Sequence, residues 1–145
     1  MPILGEPRPR VLVAEDDDSL RRLLELRLDS HGFDVRSAAD GVLALEVMDD
    51  WTPDVAVLDV MMPRLSGLSV CRELRARDVT SAVPVLLLTA RHFDEDIQDV
   101  MSLGGVEYMA KPFDFSQLEE TLTLLCGRLS NAGPRTVSLS EGTLR

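Results

Sequence analysis

Five short apolar runs, separated by stretches of helical periodicity, constrain this chain more than any other feature. They fall at residues 11–14, 33–37, 55–58, 83–88 and 106–110. Stretches such as VAVLD and VLLLT are continuously apolar, as expected for strands covered on both faces. Between them, Leu20, Leu23, Leu24 and Leu28 recur at helical spacing before a stop at His31-Gly32. Asp40 is placed to cap a second helix carrying Ala44, Leu45 and Met48. Leu68, Cys71, Leu74 and Arg75 mark a third, and Leu118, Leu122 and Leu125 a fifth. The fourth carries Ile97, Val100, Met101 and Leu103 and stops at Gly104-Gly105. Strands alternating with helices in this way predict an α/β fold with a doubly wound, five-stranded parallel sheet. At 145 residues the chain is long enough for one domain with a proper core.

Sheets of this class bind ligands at the carboxyl ends of their strands. The first run ends in Glu15-Asp16-Asp17, the third in Asp59, the fourth in Thr89 and the fifth in Lys111. If the first, third and fourth strands are neighbours, these groups converge on one crevice. Two carboxylates about 4 Å apart repel by roughly 4 kcal/mol at an effective dielectric near 20. Such a cluster must bind a cation or raise its pKa values. Oxygen-only ligands with room for water suit Mg²⁺, and an adjacent ammonium and hydroxyl would complete a cradle for a dianion. Not every acid belongs to it. Asp18 reads as a helix cap and Asp17 as a solvated residue.

The formal net charge of −10 argues against nucleic-acid binding by this domain, which would need a basic footprint. Of its 15 basic residues only Lys111 is a lysine. Cys71 and Cys126 lack metal-ligand or redox spacing and read as buried apolar fillers. No apolar run approaches the length of a membrane span, and the N-terminus lacks a signal-peptide pattern, so a cytoplasmic chain is expected. Residues 1–9, with three prolines and a glycine, read as a disordered lead-in. Residues 131–145 read as a linker or C-terminal tail. His31 at a helix end and His92 in a loop read as surface residues.

From about residue 10 to residue 129 the chain resembles the receiver domain of two-component response regulators. The matching stretches are VLVAEDD, LDVMMPRLSG, VLLLTA and LGGVEYMAKPF, with 30 residues from Asp59 to Thr89 and 52 from Asp59 to Lys111. The resemblance implies a flavodoxin-like sheet of order 2-1-3-4-5 and a receiver domain over residues 10–130. It makes Asp59 the phosphoryl acceptor, Asp16 a direct Mg²⁺ ligand and Glu15 the acid that holds a water of the ion's shell. The Met61 backbone carbonyl would be a further ligand. Thr89 would donate its hydroxyl to a phosphoryl oxygen, Lys111 would pair with the phosphoryl group, and Lys111-Pro112 falls where the family often has a cis peptide. Tyr108 would be the aromatic that changes rotamer as Thr89 moves, altering the surface of helix four, strand five and helix five. Met61 and Arg91 flank the site and would tune the lifetime of the phosphorylated state.

The implied phosphoryl donor is a histidine on a sensor histidine kinase or a histidine phosphotransfer protein, with the helix-one face around Arg21 and Arg22 as a docking site. The winged-helix DNA-binding subgroup usually carries two acids before its aromatic and several basic residues on helices four and five. Here Val106-Glu107 precedes Tyr108, Ile97 and Asp99 stand on helix four and Thr121 on helix five. Any phosphorylation-dependent homodimer is therefore expected to use other contacts. The tail is compatible with an effector domain beyond residue 145 or with a single-domain regulator. Two other readings compete. A small Mg²⁺-dependent aspartyl-phosphate phosphohydrolase would place Asp-x-Asp after the first strand, where this chain has EDDD. A phosphate-independent binding module would not need the full set of acids, threonine and lysine.

Overall fold

The computed structural model describes residues 7–130, and the side chains of residues 7–127. The expected tail and the first six residues of the expected lead-in lie outside that range. Ten elements alternate strictly: β1 Arg10–Ala14, α1 Asp18–Ser30, β2 Asp34–Ala38, α2 Gly41–Val47, β3 Val55–Asp59, α3 Gly67–Ala76, β4 Val85–Thr89, α4 Glu95–Met101, β5 Val106–Ala110 and α5 Phe115–Ser130. The strands form one parallel sheet in the order β2-β1-β3-β4-β5. β1 and β3 are thus neighbours, and β3 and β4 are neighbours, which brings their carboxyl ends side by side.

Strand alternation divides the core into two layers. Leu12, Ala14, Ala56, Leu58, Val85 and Leu87 face the α2–α3–α4 layer, meeting Ala44, Leu68, Cys71, Leu74, Ile97 and Val100. Val11, Val13, Val55, Val57, Leu86 and Leu88 face α1 and α5, meeting Leu24, Leu28, Leu118, Leu122 and Leu125. The central strands therefore need apolar residues at every position, which is why they read as unbroken runs. Both cysteines are buried, and burial pushes each thiol up to about 11.

Several boundaries differ from the sequence reading. Phe33 is a buried plug before β2 rather than its first residue. β4 begins at Val85, after Pro84, which has no N–H to give to a ladder. Leu23 is 43% exposed, so α1 turns only part of its leucine stripe inward. Leu103 lies beyond α4 and is 47% exposed, with Gly104 and Gly105 at positive φ forming the expected stop. At the described end of the lead-in, Arg8 pairs with Asp29 at 3.3 Å and the Pro9 carbonyl accepts from Asp34 N at 2.8 Å.

Candidate functional site

The carboxyl edge of the sheet gathers Glu15, Asp16, Asp59 and Lys111. Carboxylate oxygens of Glu15, Asp16 and Asp59 lie within 4.8 Å of one another. Lys111 Nζ stands 2.8 Å from Glu15 Oε1 and 3.3 Å from Asp59 Oδ2. Glu15 and Asp59 are buried and Asp16 is exposed, so the cluster opens to solvent on one side. Fully ionised, three carboxylates against one ammonium would leave an excess of two negative charges in the pocket.

That excess marks Asp59. Burial first, and the neighbouring Glu15 charge second, push its carboxyl up to about 7, against the opposing pull of Lys111. Burial pushes the Lys111 ammonium down, but its bonds to Glu15 and Asp59 outweigh this and hold its pKa above the ordinary lysine value. Oxygen donors of this number and charge fit a divalent cation such as Mg²⁺, which would relieve the same repulsion that raises Asp59.

Local structure fixes each member. Met61 N donates to Asp59 Oδ1 at 3.2 Å, while the Met61 side chain points outward at 58% exposure. Gly67 packs against the end of β3 so closely that a Cβ there would lie 2.2 Å from the Asp59 carbonyl oxygen. Thr89 is fully buried at the end of β4, its hydroxyl accepting from Arg91 N at 2.8 Å. Lys111 N donates to the Thr89 carbonyl at 2.8 Å, and the Lys111-Pro112 bond is cis. Tyr108 is half-buried on β5, with its ring edge-on to Phe93 at 5.5 Å and 70°.

The structure corrects the reading of the acids before α1. Asp17 is the N-cap, its Oδ1 accepting from Leu20 N at 3.0 Å, and its own N–H donates to Glu15 Oε2 at 3.0 Å. Asp18 is the first helical residue and pairs with Arg21 at 2.6 Å. Arg21 also donates to the Glu15 carbonyl at 2.9 Å, which makes it a support for the pocket as well as a surface residue. His31 is surface-exposed as expected, but it contacts Glu119 at 3.1 Å. His92 is exposed in the loop before α4. Sequence reasoning missed the pairing of Arg64 with Asp40 and of Arg91 with Asp94 and Asp96. The signal, an arginine in each strand-end loop, was present but pointed to no partner.

A parallel sheet of order 2-1-3-4-5 with an acid pocket at its carboxyl edge defines a flavodoxin-like α/β switch-point site. The chain belongs to the response regulator receiver domain family, whose model matches residues 11–123. It is similar to the probable transcriptional regulator ycf27 of Porphyridium aerugineum, at 41% identity over 86% of this chain and 51% of that protein. It is also similar to the response regulator MprA of Mycobacterium sp. strain KMS, at 39% identity over 90% of this chain and 56% of that protein. The chain thus spans about half the length of the curated relatives it matches. Among solved structures it resembles the receiver domain of the sensor histidine kinase PA1611 from Pseudomonas aeruginosa, with TM-score 0.75 and 30% identity over 83% of this chain and 99% of that one. That structure has a magnesium ion coordinated in its active site cleft. Among the described residues no helix is long and apolar enough to cross a membrane.

Proposed function

We propose that Asp59 accepts a phosphoryl group from a phosphohistidine on a sensor histidine kinase or a histidine phosphotransfer protein. Glu15, Asp16, Asp59 and the Met61 carbonyl would hold Mg²⁺ for this reaction. The observation that carries the reading is the buried Asp59 carboxylate, set between the Lys111 ammonium and two further acids. One Asp59 oxygen attacks phosphorus, forming an O–P bond. The P–N bond to the donor imidazole breaks, and its electron pair stays on the departing nitrogen. Lys111 pairs with the transferred group and Thr89 turns its hydroxyl towards a phosphoryl oxygen. Mg²⁺, when bound, offsets charge on the phosphoryl oxygens in a transfer that depends more on charge and positioning than on proton transfer. Attack by water on phosphorus later cleaves the new O–P bond and resets the domain.

Output follows from Thr89. Its movement towards the phosphoryl group vacates space on the β5 side, and Tyr108 leaves its edge contact with Phe93 to fill it. The α4–β5–α5 surface changes in consequence. Each tenfold change in population requires about 1.4 kcal/mol of preference for the active state. The α4 surface carries Glu95, Asp96 and Asp99, so a phosphorylated homodimer would use contacts other than the basic-to-acidic pairs of the winged-helix subgroup. The lengths and names of the relatives favour a transcriptional effector beyond residue 145, in a cytoplasmic protein. The receiver, in a chain of net charge −10, does not contact nucleic acid in this reading. Beryllofluoride with Mg²⁺, which mimics an acyl phosphate, tests the coupling by amide NMR. Resonances of Thr89, Tyr108 and α4 are expected to shift together, whereas a response confined to residues 15–17 and 59–61 would contradict it.

A further inference from the structure

Two loops meet beside the acid pocket through a pair that phosphoryl transfer does not itself use. Arg64, in the β3–α3 loop, donates from Nε to Asp40 Oδ2 at 2.9 Å and from Nη2 to Oδ1 at 3.3 Å. Asp40 is 8% exposed and caps α2 through Leu43 N at 2.9 Å, so the helix sets its position. Arg64 has φ of 66°, a left-handed conformation that costs a residue with a Cβ and suits glycine. What arginine brings there is the two-pronged bond to a carboxylate. The loops also pack closely, since a Cβ on Gly41 would lie 2.2 Å from the Leu65 carbonyl oxygen.

The end of β2 and the loop that follows it reach both halves of the pocket. On one side the Ala38 carbonyl accepts from Glu15 N at 3.0 Å. On the other, Asp40 holds Arg64, which follows closely after Met61, whose N–H holds Asp59 Oδ1 at 3.2 Å. Residues 38–40 therefore bridge the backbone under Glu15 and the loop that leaves Asp59. Moving one relative to the other would change the spacing of the three acids.

We propose that Arg64 and Asp40 form a positioning pair for the divalent-cation site, fixing residues 61–64 against Glu15 and Asp16 and so raising affinity for the ion without touching it. This rests on the Mg²⁺ reading above. Groups that orient ligands commonly govern metal affinity in this way.

The test is Mg²⁺ binding by calorimetry to the full chain, beside thermal unfolding in EDTA, for the native protein, Arg64→Gly, Asp40→Asn and the double variant. Glycine relieves the left-handed conformation and asparagine keeps a good N-cap, so each variant is expected to fold. Each single variant should bind Mg²⁺ roughly threefold to tenfold more weakly, and the double variant no more weakly than either. Unfolding of Arg64→Gly in EDTA should occur at or above the native temperature, which separates positioning from loss of stability. Native-like Mg²⁺ affinity in Arg64→Gly, or additive losses in the double variant, would overturn the proposal. A native protein that binds no Mg²⁺ would instead overturn the metal reading and this inference with it.

Discussion

The centre of the sheet and its β5 edge differ sharply in how they are held. β3 and β4 are buried at all five positions each, and Asp59 and Thr89 close them at 3% and 0% exposure. β5 buries Val106 but leaves Glu107, Tyr108 and Met109 only half-covered, beside an α4 of seven residues. The proposed function would use this difference, since an acceptor needs atoms held in place and an output surface needs a region that can rearrange at low cost. Thr89 and Lys111 join the two regions. Thr89 pairs with Ala110 across the ladder, and Lys111 N bonds to the Thr89 carbonyl, so the pocket and β5 share adjacent backbone.

The contrast can be broken most directly by truncation. Leu87→Ala, at a fully buried position of β4, should cost about 2–5 kcal/mol in urea unfolding. Leu103→Ala, half-exposed after α4, should stay within about 0.5 kcal/mol. Equal costs at the two positions would remove the distinction.

The next effect is electrostatic and belongs to the centre alone. In metal-free protein the Asp59 carboxyl sits at about 7, above its ordinary 3.8. Between those values the folded state holds a proton that the unfolded chain has released. Its contribution is therefore full below the ordinary value and is lost as pH rises through about 7. Metal-free stability should fall across that window, by at most about 4 kcal/mol. Asp59→Asn should flatten this dependence, and Mg²⁺ should offset it at pH 8. A native profile that matches Asp59→Asn would show that burial does not raise the Asp59 carboxyl.

Smaller effects sharpen the boundary between regions. Asp17→Ala removes the α1 cap but keeps the backbone N–H that donates to Glu15, and should cost about 1 kcal/mol. Asp18→Ala, losing an exposed pair, should cost a few tenths at most, about 0.3 kcal/mol. The reverse order would restore Asp18 as the cap. On the edge, Phe93→Ala removes a T-shaped contact with Tyr108 and should cost about 0.5–1 kcal/mol.

The two regions also differ in how legible they were in the sequence. Covered strands must be apolar throughout, so VAVLD and VLLLT revealed the sheet, and the polar residue ending each run revealed Asp59 and Thr89. Glu15, Asp16 and Lys111 were legible for the same reason. The helix surfaces were less so, because a leucine such as Leu23 keeps helical spacing whether or not a neighbour covers it. Asp17 and Asp18 are adjacent and alike, and only backbone geometry decides which one caps. Arg75 fitted the α3 stripe, yet its guanidinium donates to the carbonyls of Val83, Gly104 and Gly105 at 2.7, 3.1 and 3.1 Å. Pairs such as Arg64 with Asp40, 24 residues apart, leave no periodic trace at all.

The central claim is that Asp59 is a metal-dependent phosphoryl acceptor, and intact mass after incubation with acetyl phosphate and Mg²⁺ tests it most directly. The native protein should gain one phosphoryl group, while EDTA or Asp59→Asn should abolish the gain. Equal labelling of Asp59→Asn, or labelling indifferent to EDTA, would contradict the account.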